Sequence, residues 1–91
     1  MYKTIYTLFQ DEAIDFEPFQ RAIMSFSTKE DAIKHLQDMI EGIKDFWKRL
    51  GKYDEMVIDD SVDYYFDIYE DFNKPANHTT LCILENTLKQ S

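Results

Sequence analysis

One unbroken apolar stripe constrains this chain more than any other feature. Ala32, Ile33, Leu36, Met39, Ile40, Ile43, Phe46, Trp47 and Leu50 recur at intervals of three and four. That spacing lines one face of a helix, and such a face needs an apolar surface to lie on. Ser27-Thr28-Lys29-Glu30 reads as a capping box, with Ser27 at the cap and Glu30 reaching back; Thr28 with Asp31 is the alternative. Glu30 and Asp31 suit the positive end of the helix dipole, and Lys48, Arg49 and Lys52 suit the negative end. Gly51 is the natural left-handed stop. The pattern predicts a helix over 28–50, about 34 Å long, with Leu36, Ile40, Ile43 and Trp47 buried.

The segments on either side have strand character. Tyr2–Gln10 is rich in β-formers, with Tyr2, Tyr6 and Leu8, or Ile5 and Phe9, as its inner set. Residues 11–18 read as a loop, since Pro18 cannot hold a central ladder position. Phe19–Phe26 resumes strand character, with Ala22, Met24 and Phe26 on one side. Asn73-Lys74-Pro75-Ala76-Asn77 is turn chemistry, and Thr79–Leu88 is a last strand. The chain therefore reads as a single α+β domain over 1–91. Its expected order is ββαββ: a four-stranded antiparallel sheet with one long amphipathic helix on one face.

The remaining strand carries the charge. Residues 53–73 hold eight acids, six aromatics and no Lys or Arg. The other 70 residues balance ten acids with ten bases, so the net charge of −8 belongs to this segment. Val62, Tyr64, Phe66 and Ile68 alternate with Asp63, Tyr65, Asp67, Tyr69 and Asp71, the mark of a half-buried strand. The same parity runs back through Met56 and Ile58 and breaks at Asp60. One long strand bent near Asp60-Ser61 is the favoured reading, and a short strand 55–59 turning into a second is the other. A single helix covers one side of such a sheet. The acid-and-tyrosine side is then either a solvated face that keeps the protein soluble or a partner surface.

Composition excludes several classes. Two Gly and two Pro in 91 residues, with 44% apolar residues, do not describe a disordered chain. The lone Cys82 rules out an internal disulfide framework. No apolar run approaches the roughly 20 residues of a membrane span. The first ten residues lack a basic start followed by an apolar stretch, so no signal peptide is expected and the cytoplasm is the default compartment. Asn77-His78-Thr79 matches a glycosylation sequon by chance on that reading. Direct nucleic-acid binding needs clustered bases, which the chain lacks outside Lys48, Arg49 and Lys52.

Catalytic and metal chemistry find little support. His35 sits beside the helix stripe and His78 in a turn. His78 and Cys82 lie four residues apart, about 13 Å along a strand, too far for a nucleophile and its base. Cys82 reads as a small buried hydrophobe. Asp59, Asp60 and Asp63 lack the Gly and Glu that a calcium loop requires. No cofactor or metal is expected. Phe26-Ser27-Thr28-Lys29-Glu30-Asp31-Ala32 resembles the strand-to-helix junction of many short phage and mobile-element proteins of low-GC Gram-positive bacteria. Its chemistry is generic capping, and it implies no activity.

The expected function is a small acidic cytoplasmic protein–protein interaction or regulatory module without catalytic activity. Its contact residues would be Asp63, Tyr65, Asp67, Tyr69 and Asp71, and its partner a protein with a basic surface or a second copy. The alternative is an inhibitor that mimics nucleic-acid charge and fills the basic groove of a nucleic-acid-processing enzyme.

Overall fold

A computed structural model describes residues 2–70 and 76–89. The order is β1 (Tyr2–Ile14), β2 (Glu17–Phe26), α1 (Lys29–Arg49), a single 3-10 turn (Tyr53–Glu55), β3 (Met56–Val62), β4 (Tyr65–Glu70) and β5 (His78–Lys89). The strands form one antiparallel sheet in the order β2-β1-β5-β4-β3. The α+β class and the single helix agree with the sequence; the sheet has five strands, not four.

The fifth strand comes from the acidic segment. Residues 56–70 are not one bent strand but a hairpin, β3 and β4, turning at Asp63-Tyr64. The break at Asp60 is a β-bulge: Asp59 faces Asp67 and Val62 faces Tyr65, so β3 carries one residue more than β4 across that interval. Asp59 folds its carboxylate onto Ser61, accepting from the amide at 3.4 Å and the hydroxyl at 3.1 Å. Tyr64 and Val62, expected inside, are exposed at this turn, whereas Phe66 and Ile68 are fully buried as the alternation predicts.

The predicted loop 11–18 is also strand at both ends. β1 runs on to Ile14, β2 starts at Glu17, and only Asp15 and Phe16 turn. Both have positive φ, 51° and 68°, as a two-residue type I′ hairpin requires. Neither is a glycine. The turn is held from outside: the Asp15 amide donates to Asn77 Oδ1 at 3.0 Å, and the Phe16 amide donates to the Ala76 carbonyl at 3.0 Å. Pro18 sits opposite Ala13 on β2, an edge strand, where a missing amide is tolerated. A second bulge, between Leu8 and Phe9 in the β1–β2 ladder, inverts the parity of β2. Ala22 therefore pairs with Phe9, while Ile23 packs on the core.

The helix begins one residue later than the favoured reading. Thr28, not Ser27, is the cap, its hydroxyl accepting from the Asp31 amide at 3.3 Å. Thr28→Ala should cost about 1 kcal/mol and Ser27→Ala almost nothing, read from the chemical-denaturation midpoints of the two variants. At the other end the Gly51 amide reaches the Lys48 carbonyl and the Lys52 amide reaches that of Trp47, with Gly51 at φ 72°. That is a Schellman stop, and only glycine enters the left-handed region there without a steric cost.

Ala32, Leu36 and Trp47 of the helix meet Leu8, Phe66, Ile68, Leu81 and Ile83 of the sheet in one core. Ile40 and Ile43 pack against it while half-buried. A polar string also runs along the helix side of the sheet. Arg21 Nε donates to Gln10 Oε1, Gln10 Nε2 to Glu12 Oε2, and the Thr79 hydroxyl to Glu12 Oε1, at 3.0–3.1 Å.

Candidate interaction face

α1 covers one side of the sheet, and the other side is the candidate site. Residues paired across an antiparallel ladder share a face, so the registers assemble that side row by row. The middle row is Gln20, Asp11, Thr80, Asp67 and Asp59, from β2 to β3. One flanking row is Ala22, Phe9, Cys82, Tyr65 and Val62. The other is Pro18, Ala13, His78, Tyr69 and Val57. An acidic row thus lies between two rows of mainly apolar and aromatic residues, and no Lys or Arg stands in any of the three.

Among the described residues, the carboxylates find only neutral donors here. Asp67 accepts from the Thr80 hydroxyl at 2.8 Å and from the Tyr65 phenol at 3.5 Å. Asp11 accepts from Gln20 Nε2 at 3.5 Å. Asp59 and Asp67 are directly opposite on neighbouring strands, an arrangement of like charges that weakens a sheet. Asp59, Asp67, Tyr69, His78 and Thr80 together line a shallow depression.

These neighbours hold two groups in their neutral forms. Burial, then the Asp67 and Asp59 carboxylates, raise the pKa of the Tyr65 phenol. Burial, then Asp11, raise that of the Cys82 thiol. A protonated phenol remains a donor to an incoming acceptor, and a protonated thiol is a poor nucleophile. Cys82 is half-buried on this open face between Phe9 and Tyr65, not a residue of the core. His78 shares its face two rows away, and His35 lies across the molecule with its ring 5.5 Å from that of Phe26. Among the described residues, no group of three or more His, Cys, Asp or Glu could hold a metal ion, and no helix is long and apolar enough to cross a membrane.

Of the five expected contact residues, Tyr65, Asp67 and Tyr69 stand side by side on β4, half-buried on the open face. Asp63 lies at the β3–β4 turn, beside the rows, and Asp71 lies outside the described residues. Sequence reasoning missed Phe9 and Asp11 as members of the same face, and did not set Val57 opposite Tyr69 or Asp59 opposite Asp67. Alternation shows which residues of one strand share a side, but joining them across strands needs the register. No known protein family, curated protein or solved structure matches this chain.

Proposed function

We propose that the chain is a protein–protein interaction module that receives a basic partner on its open sheet face. The observation that carries this reading is the row Asp11, Asp67 and Asp59, with no cation beside it among the described residues and flanked by Phe9, Tyr65 and Tyr69. Aromatic anchors beside charges that lose water only when a partner docks are the pattern of interface hot spots. A second copy is a poor fit to the same surface, because it would set these carboxylates against their own images. An Arg or Lys placed between Asp59 and Asp67 would relieve their repulsion and gain charge-assisted hydrogen bonds.

The test is a titration of the isotope-labelled protein with an arginine-rich peptide, followed by amide chemical shifts. Shifts should centre on Tyr65, Asp67, Tyr69 and Thr80. Asp59→Lys with Asp67→Lys should abolish them, and Tyr65→Ala with Tyr69→Ala should weaken binding by about tenfold or more, about 1.4 kcal/mol. Shifts scattered over the helix side, or unchanged by the charge reversal, would show that this face is only solvated.

The charge-mimic reading stays in view for one reason. A single strand spaces carboxylates on one face about 13 Å apart if every fourth residue is acidic. The β3–β4 hairpin instead sets Asp59 opposite Asp67, on strands about 5 Å apart, and Asp11 two strands further on. A mimic would compete with duplex DNA for a basic groove, and its affinity would fall steeply with salt. An aromatic-anchored contact would keep most of its affinity.

A further inference from the structure

The open face carries more than its acidic row. β1 and β5 run on together past the last pairings of their neighbours, Tyr65 opposite Cys82 and Phe26 opposite Tyr6. On the open side the cross-strand partners there are Thr7 with Leu84, Ile5 with Asn86, and Lys3 with Leu88. The apolar members form a zigzag that starts from the flanking row: Phe9, Cys82, Leu84, Ile5 and Leu88. Leu84 is 53% exposed and Leu88 46%, whereas Leu81 and Ile83, on the helix side of the same strand, are buried.

Three zones therefore follow one another along β5. Thr80 lies in the acidic row, between Asp11 and Asp67. The apolar zigzag comes next. Lys3, exposed, stands opposite Leu88 at the far end. Leu88 is eight residues beyond Thr80, about 26 Å at the rise of a strand. What lies on this strip must bring bases to one end and apolar side chains to the rest.

The form of that partner segment follows from its backbone. Inner strands pair their own amides and carbonyls within the sheet, so the face offers side chains alone. An extended segment laid on the apolar zone would bury backbone groups with nothing to receive them, whereas a helix pairs its own. A helix about 10 Å across also matches the width of two strands about 4.8 Å apart, and about 18 residues of it span 26 Å.

We infer that the basic partner docks an amphipathic helix along β1 and β5. Its apolar stripe lies on Phe9, Leu84, Ile5 and Leu88, and its arginines or lysines stand at the end that reaches Asp11 and Asp67. This inference rests on the basic-partner reading and names the segment that the partner presents. Bases further along such a helix would face leucines and then Lys3, where an acidic residue fits instead. The distribution of charge thus fixes which end lies on which row. The other side of the sheet already holds a helix by an apolar stripe, with Ala32, Leu36 and Trp47 on Leu8, Leu81 and Ile83.

Two synthetic peptides of about 20 residues and one composition test the inference. Both carry glutamates in the first turn and arginines in the last. In one the leucines recur at intervals of three and four; in the other they are spread around the helix. By calorimetry the striped peptide should bind at least about tenfold tighter than the scattered one. It should gain helicity by circular dichroism and shift amides from Asp67 and Thr80 through Leu84 and Leu88 to Lys3. Leu84→Thr with Leu88→Thr changes two exposed positions and keeps β-propensity. This variant should fold, lose the tenfold advantage, and bind the arginine-rich peptide as before. Striped and scattered peptides that bind alike, or an advantage that survives the two threonines, overturn the docked helix. The basic-partner reading then stands if the arginine-rich peptide still shifts Tyr65 and Asp67. Striped-peptide binding that Asp59→Lys with Asp67→Lys leaves unchanged overturns both.

Discussion

Phe66→Ala should cost about 3–5 kcal/mol, while Tyr65→Ala, one residue away, should cost far less. Phe66 is fully buried among Leu8, Leu36, Trp47 and Leu81, and truncating it removes an aromatic ring from a closed core. Part of the cost is the lost transfer of that ring from water. The rest is the cavity that its neighbours cannot fill. Tyr65 points to the side the helix does not cover, and its ring is only half-buried beside Cys82 and Asp67. Urea denaturation of both variants against the parent measures the difference. Equal losses, or a larger loss for Tyr65, would mean that β4 presents its other face to the helix. The acidic rows would then not exist.

That prediction depends on the part of the molecule that local pattern conveys best. The helix stripe was legible because a period of 3.6 over six turns has no competing explanation, and α1 spans Lys29–Arg49 as a result. The parity of β4 was legible because Phe66 and Ile68 alternate with charged and phenolic residues. Two turns were not. Asp15-Phe16 adopts positive φ at both positions without the Asn-Gly or Asp-Gly signature, because Ala76 and Asn77, some sixty residues later, hold its amides. Asp63-Tyr64 looked like continuing alternation because Val62, Tyr64, Phe66 and Ile68 keep a period of two straight through the turn, and neither turn residue is a glycine or asparagine. The candidate face suffered similarly. Tyr65, Asp67 and Tyr69 were visible as neighbours, but Asp11 and Asp59 join them only through pairings that a linear pattern does not encode.

The same long-range dependence yields the second large effect, at Asn77. This side chain is 2% exposed and joins three segments of the chain. Its Nδ2 donates to Glu70 Oε1 at 2.9 Å, and its backbone amide donates to the same oxygen at 2.8 Å. Its Oδ1 accepts from the Asp15 amide at the β1–β2 turn, and its carbonyl accepts from the Glu70 amide at 3.1 Å. Glu70, 7% exposed, thus relies on Asn77 for both of its hydrogen-bond donors among the described residues. Asn77→Ala keeps the backbone bonds and removes two others. One is a charge-assisted bond to a buried carboxylate, and the other satisfies the amide of a residue held at φ 51°. A bond to a charged group contributes roughly 1.5–3 kcal/mol, and the amide of the exposed Asp15 adds less than the roughly 1–3 kcal/mol of a fully buried orphan. The combined loss should be about 2–4 kcal/mol, since the turn will relax to recover part of it. Asn77→Asp should be worse than Asn77→Ala, because it sets a second carboxylate against Glu70 and still removes the donor. Thermal unfolding gives the order of the variants, and hydrogen exchange gives the mechanism. The Asp15 and Phe16 amides should lose protection in Asn77→Ala while amides of the α1 core keep theirs. A variant that loses stability with those two amides unchanged would place the loss elsewhere, and one that loses under about 0.5 kcal/mol would show that the turn holds itself.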